Sequence, residues 1–433
     1  MSDKGKVSYE NIKKKISRLT EQGTKEKQFV DFWRLGCETK GEIADLRYGY
    51  DDSSREFVEK YKDRLIKIRE DFIENMDYYV EKCIERMRKT NQFKVYYAKT
   101  NQEAQKIFME ELGENKVIYK SMTNEAKDIG ILRALKKNNI EIRETEIGEI
   151  LVELFDYKLP TYQLGHGAHF TVNEIVAKMK EVHGVDIEPR VEAIVKYYRD
   201  TYRPELLNNV TVALTSANAI AADDGSIVLV EGSGNISLIT RATEKHIVAV
   251  GITKIVPTFF DALLVAKMQA RAPTVSMAYM SIIFGPSGTS SIQGGRTIGM
   301  YGTKEVVVIL VDEWRTRAAK ENLIYKSLLK CIACRSCNFV CTSSRAFGNV
   351  FGGRFGLGAT AIIREYIHDG IEAAVKSGLF LCTGCEKCSK WCPAGVDLAE
   401  MMRNLKREAS QKGLCPPPLS EYRKKILENK NPF

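Results

Sequence analysis

Residues 331–341 read CIACRSCNFVC and residues 382–393 read CTGCEKCSKWCP, two runs whose four cysteines are spaced three, three and four positions apart. Eight of the eleven cysteines lie in these runs, with Cys37, Cys83 and Cys415 outside them. A secreted disulfide framework would spread its thiols along the chain instead. The N-terminus MSDKGKVSYENIKKK carries no apolar signal core, and no run of 18 or more apolar residues occurs, so the expectation is a reducing cytoplasm and no transmembrane segment. Peripheral membrane association is compatible with that reading.

Three thiols at i, i+3 and i+6 on a tight loop can face three irons of one cubane, while a fourth, four residues on, points away along the following helix. In two-cluster ferredoxins that fourth cysteine ligates the other cluster. Carried over from that pattern, Cys331, Cys334, Cys337 and Cys392 would hold one 4Fe-4S cluster, and Cys382, Cys385, Cys388 and Cys341 a second. Pro393 follows the last cysteine of the second run as in the ferredoxin pattern; Thr342 stands at that place in the first. The alternative is zinc, which prefers separated cysteine pairs, often with histidine, in tetrahedral sites. Here a third cysteine follows each pair and neither run contains a histidine.

The net charge is +9, and residues 331–433 hold 15 Lys and Arg against 9 Asp and Glu. Thiolate-ligated clusters are anionic, and nearby basic residues would offset that charge and tune potential. Without aromatic and basic interleaving or a recognisable binding module, the surplus does not indicate a nucleic-acid partner.

Residues 1–105 are highly charged and are expected to be helical. From Phe57 the apolar positions Phe57, Tyr61, Leu65, Ile68, Phe72, Met76, Tyr79, Cys83 and Met87 form one helical stripe. Ser53 with Glu56 suggests a capping box at its start. Cys83 on that stripe reads as a small buried hydrophobe. From 106 to 325, KVIYK, VTVALT, SIVLV, HIVAVGI, YMSIIF and EVVVILVDE alternate with helical stretches, which indicates an α/β domain with a largely buried sheet. The cysteine-rich domain spans 326–415. A tail, 416–433, follows, in which Pro416, Pro417 and Pro418 preclude a continuous helix. GGRFGLGA at 352–359 follows a cysteine run rather than a strand and so lacks the context of a dinucleotide fingerprint. No Walker loop or Ser/His/Asp elbow is present, so any flavin would come from a partner.

KSMTNEAKDIGILRALKKNNIEIRETEIGEIL, TSANAIAADDGSIVLVEGSGN, HIVAVGITKIVPT and GPSGTSSIQGG with GMYGTKEVVVILVDE, followed by the two cysteine runs, resemble the lactate-utilization (LUD domain) iron-sulfur proteins of the B-subunit type. The resemblance covers nearly the whole chain from about residue 50. It implies an α/β body of the NagB/RpiA/CoA-transferase-like type, a C-terminal helical ferredoxin domain with two 4Fe-4S clusters, and partners: a second LUD subunit or a flavoprotein, and a cysteine-rich-domain subunit. VDLAEMMRNLKREA and KKILENKNPF are similar to the tail of heterodisulfide-reductase-type C subunits, which implies the same cysteine-rich-domain partner. The chain departs from the family where Gly288 replaces the arginine of Gly-Pro-Ser-Arg-Thr and Tyr301 replaces a common histidine. An anionic 2-hydroxy acid would use that arginine as a bidentate partner.

Lys120 and Ser121, at the end of KVIYK and before a helix, are placed for an anion, although lysine at a strand end is usually only solvated. His169 in GHGAHF matches a histidine of the family and could serve as acid or base for a hydroxyl, with His166 beside it. Asn218 and Asn235 lie in glycine-bearing turns, where asparagine is common for conformational reasons alone. Gly285, Ser287 and Thr289 could cradle phosphate or carboxylate through backbone N–H groups, or form a plain turn. Together these features describe an electron-transferring iron-sulfur subunit of a lactate-oxidising or heterodisulfide-reductase-like complex. Two alternatives stay open: a scaffold whose body has no substrate of its own, and a non-redox acyl or sugar-phosphate enzyme with a structural metal domain.

Overall fold

The computed structural model describes residues 52–155, 170–271, 278–347 and 350–430, with five helical positions between 10 and 17. The stripe from Phe57 to Met87 has the expected spacing but is carried by two helices, Asp52–Glu74 and Met76–Lys89. Asn75 separates them at φ −113° and ψ 30°. Its amide donates to the Asp71 carbonyl at 3.2 Å and the Asp71 carboxylate at 2.8 Å, so a polar side chain competes with the helical ladder. Ser53 already lies within the first helix, and its side chain is outside the described residues. Leu65, Phe72, Cys83 and Met87 are fully buried, as the stripe requires.

The strands are β1 (Lys94–Ala98), β2 (Val117–Lys120), β3 (Glu141–Glu144), β4 (Val212–Thr215), β5 (Ala219–Ala221), β6 (Ile227–Glu231), β7 (Lys245–Gly251), β8 (Ile255–Val256), β9 (Tyr279–Ile283), β10 (Gly288–Thr289), β11 (Thr297–Ile298) and β12 (Glu305–Val311). Six of them form one parallel sheet in the order β1-β12-β7-β4-β2-β3. Strand β1 corrects the expectation that residues 1–105 are helical throughout. Its KVYYA is β-branched and aromatic, a short run easily lost among charged neighbours.

Both faces of the sheet are covered, which is why β7 and β12 read as unbroken apolar runs. Val248, Val250, Val306, Val308 and Leu310 pack into one core; Ile247, Ala249, Val307, Ile309 and Val311 pack into the other with Phe108, Ile129 and Leu135. The first core runs without interruption from the N-terminal helices through the sheet β8-β5-β6-β9 into the cysteine-rich domain, ending at Leu405, Ala409 and Leu414. Body and cysteine-rich domain therefore share one hydrophobic interior. After the helix Leu398–Gln411 the prolines interrupt the chain, and a new helix, Pro417–Asn429, begins within them, because proline is tolerated in a first helical turn.

Candidate metal centre

The two cysteine runs have the same local structure. Each follows a 3-10 turn, Lys326–Lys330 or Leu379–Leu381, and each leads into a four-residue helix, Ser336–Phe339 or Lys387–Lys390. At matching positions both loops adopt left-handed backbone: Ala333 (φ 59°) and Gly384 (φ 72°), then Arg335 (φ 66°) and Glu386 (φ 60°). Three of these four are not glycine, so the turns are imposed against local preference. Backbone N–H groups in and beyond these loops point at sulfur. Ala333 N–H donates to Cys331 Sγ at 3.3 Å, Val396 to Cys392 at 3.3 Å and Ser344 to Cys341 at 3.4 Å. Such bonds stabilise a thiolate, the form that ligates iron.

Cys331, Cys334, Cys337 and Cys392 line one cavity, together with Asn124, Phe355, Thr360 and Arg364. Cys382, Cys388 and Cys341 lie within electrostatic reach of one another, and Cys385 meets the Thr342 hydroxyl at 3.9 Å. Cys337 also feels Cys388, so the two groups adjoin. Among the described residues no three Cys, His, Asp or Glu side chains close on a single metal ion. Four sulfurs ringing a void fit a four-cornered cluster, and in this cavity the first loop lines three corners and the second loop the fourth. Cys334, Cys337 and Cys392 are pushed up by burial, Cys392 to about 12, so iron taken up there displaces protons.

The glycines of GGRFGLGA serve this packing. Gly358, at φ +75°, opens the helix Gly358–Lys376, and a Cβ there would meet Asn338 Oδ1 at 2.3 Å, one residue from Cys337. Arg69, 2% exposed, ties the N-terminal helix to the site by donating to the carbonyls of Thr253 (2.6 Å), Ile255 (3.3 Å) and Leu329 (2.7 Å). Burial lowers its pKa to about 10, with Cys331 acting in the opposite direction.

A buried ion network joins body to cysteine-rich domain next to this cage. Asp128 meets Arg315 at 3.1 Å, His368 at 2.9 Å and Arg364 at 3.6 Å; Glu125 meets Arg315 at 3.3 Å and accepts the Gly251 N–H at 3.0 Å. Burial alone would raise the Asp128 pKa, but Arg364, His368 and Arg315 hold it below the usual carboxylate range. These partners lie up to 240 residues apart, and the sequence carries no local signal for them.

The body residues singled out from sequence are placed as follows. Lys120 and Ser121 end β2 at the crevice between β2 and β4, where the strand order reverses, and both are buried. The Lys120 ammonium is paired with Glu144, and Ser121 N–H donates to the Leu214 carbonyl. Asn235 belongs to the same crevice, donating to Thr145 Oγ1 at 3.0 Å and accepting from Ser233 at 2.8 Å. Asn218 lies elsewhere, bridging Gln269 and the Val230 N–H. Gly285, Ser287 and Thr289 belong to the β10–β11 hairpin region, where Ser287 N–H already donates to the Thr303 carbonyl. A Cβ on Gly288 would sit 3.0 Å from Arg296 Nε, so Arg296 fills the space an arginine at 288 would enter. His166 and His169 lie outside the described residues. The buried His246 was not singled out from sequence; its Nε2 meets Thr215 Oγ1 at 2.7 Å, and burial lowers its pKa to about 3.

A sequence model of the LUD domain matches residues 80–311, more than half of the chain. The chain belongs to the LUD domain family. A 4Fe-4S dicluster domain model matches residues 327–396, which marks the cage region as an iron-sulfur domain. Among curated relatives, the "Uncharacterized electron transport protein YkgF" of Escherichia coli is 24% identical over 82% of this chain and 73% of its own length. "Lactate utilization protein B" of Bacillus licheniformis is 26% identical over 83% and 73%, and that of Bacillus subtilis 26% over 79% and 70%. A crystal structure of a duf162 family protein from Deinococcus radiodurans overlaps 54% of this chain and 97% of its own, at 12% identity and a TM-score of 0.31. No helix among the described residues is long and apolar enough to cross a membrane.

Proposed function

We propose that this LUD protein is the iron-sulfur electron-transfer subunit of an oxidoreductase complex, of the lactate-oxidising type, and that it carries two 4Fe-4S clusters with crossed ligands. The observation that carries this reading is the cavity lined by Cys331, Cys334, Cys337 and Cys392, which joins three thiols of one run to the last thiol of the other. The relatives named for electron transport and lactate utilization support it. When bound, such clusters exchange single electrons.

The chain's own residues fix the sulfurs and donate N–H groups to them. Cys385 is exposed, so the second cage is the place where a partner can approach. That partner is a cysteine-rich-domain subunit or a second LUD subunit or flavoprotein, with the tail after Pro416 as a docking element. The crevice at Lys120, Ser121 and Asn235 is the place in the body where a small anionic substrate would bind. Because Glu144 already neutralises Lys120, the scaffold reading, in which the body only positions the clusters, remains the second hypothesis.

The test is anaerobic purification followed by dithionite reduction and exposure to a one-electron acceptor. The expected result is a brown protein whose visible absorption bleaches and returns. A colourless chain holding zinc would end the proposal.

A further inference from the structure

Arg364 stands on the helix Gly358–Lys376, four residues after Thr360, and both line the cavity formed by Cys331, Cys334, Cys337 and Cys392. That spacing puts the two on one face of the helix, and the face borders the four thiols. The Arg364 guanidinium pairs with Asp128 at 3.6 Å, too far for a hydrogen bond, and no hydrogen bond from it to a described residue accompanies the pair. An arginine carries five N–H donors in a planar fork. Asp128 is shared with Arg315 at 3.1 Å and His368 at 2.9 Å, so its charge is not spent on Arg364 alone. Burial acts to lower the Arg364 pKa, but Asp128, Glu125 and Cys331 raise it, which keeps the positive charge in place. Arg335 also borders the cavity, yet its guanidinium reaches the Met122 sulfur at 3.6 Å and faces Glu149 and Glu146.

Resting on the reading of the cages as cluster sites, we propose that Arg364, held at the cavity by Asp128, is the potential-setting residue of the deep cluster. Hydrogen bonds to sulfur and local net charge both set a cluster's potential. One-electron reduction adds a negative charge, which burial disfavours and a neighbouring guanidinium favours. Asp128 acts in the opposite sense, because it partly neutralises the group it orients. The electron leaves the adjoining reduced cluster, which is oxidised in turn, and enters the deep one; no proton is required. At the second cage the nearby cations are Lys387, facing the exposed Cys385, and Lys406, which donates to the Cys382 carbonyl at 2.6 Å.

The experiment is an EPR-monitored redox titration of anaerobic full-length protein after iron has been counted, the signal missing from Cys334→Ser identifying the deep cluster. Arg364→Gln is expected to lower the deep midpoint potential and leave the shallow one unchanged. The expected effect is about tenfold in the reduced-to-oxidised ratio at fixed potential, equivalent to about 59 mV for a one-electron couple. Arg364→Lys keeps the charge and should stay nearer the wild type than Arg364→Gln. Asp128→Asn leaves the guanidinium with less counter-charge and should raise the same potential; it decides the question if Arg364→Gln binds less iron. A deep potential unchanged in these variants, or equal shifts of both potentials, overturns the inference. Fewer than about eight irons in the wild type would instead overturn the cluster reading itself.

Discussion

Ala333 and Arg335 in the first thiol loop and Gly384 and Glu386 in the second share left-handed backbone, yet their surroundings diverge. The first loop is enclosed by the body: Arg69, Lys254 and Arg364 lie within electrostatic reach of Cys331, and burial pushes Cys337 well above the ordinary thiol range. In the second, Cys385 is exposed, and although burial acts to raise its pKa, the Lys387 N–H and the Thr383 and Thr342 hydroxyls bring it below the ordinary range. One backbone thus builds two electrostatic environments, and the difference comes from what packs on it.

The largest expected effect tests this contrast through stability. Cys337→Ala should remove the deep cluster and lower the stability of residues 326–415, because the thiols around the first cavity come from both loops and rest on the shared core. Cys385→Ala should lose the shallow cluster while the body still unfolds cooperatively. Thermal unfolding followed by circular dichroism separates the two, and equal losses would erase the distinction.

Next comes the ion network beneath the deep cage. Arg315→Met removes the ion-pair partner of buried Glu125 and one of the three cationic partners of Asp128, and denaturant unfolding should show a loss of about 3–5 kcal/mol. Asp128 sets an acid dependence as well. Its carboxyl is held below its unfolded value, so its contribution is complete above about pH 4 and lost as pH falls below that. His246 adds an earlier slope: its folded pKa is about 3 against about 6.5 unfolded, so stability is full above about pH 6.5 and falls between there and about pH 3. At pH 5 that amounts to about 2 kcal/mol, and a His246→Asn variant should lack the slope.

The smallest effect is at Ala333, where glycine relieves left-handed strain of about 1–2 kcal/mol but loses about 0.5–1 kcal/mol to chain entropy. The matching change in the second loop, Gly384→Ala, should destabilise by a similar amount.

Much of this was legible in the sequence because the signals were local. The thiol spacing announced the loops, and the apolar runs announced β2, β4, β6, β7, β9 and β12. What escaped detection depends on distance along the chain. Arg69 sits one position from Ile68 on an amphipathic helix and looks like a solvated arginine until three carbonyls from residues 253, 255 and 329 converge on it. Lys254 looks equally ordinary in HIVAVGITKIVPT. Asn75 broke an unbroken-looking stripe through a side-chain hydrogen bond, and β1 was hidden because five residues are too few to register against charged helices. In the crevice, Lys120 was found from its strand end, whereas its buried partner Glu144, 24 residues on, was not.

The central claim is that each cage takes three thiols from one loop and its fourth from the other. It is tested most directly by counting iron and acid-labile sulfide in anaerobic wild type, Cys392→Ser and Cys334→Ser, with EPR spectra of the reduced proteins. About eight irons are predicted in the wild type and about four in each variant, the two variants giving the same residual spectrum because both lose the deep cluster. If Cys392→Ser instead matched Cys388→Ser, its neighbour in sequence, each run would hold its own metal and the account would be contradicted.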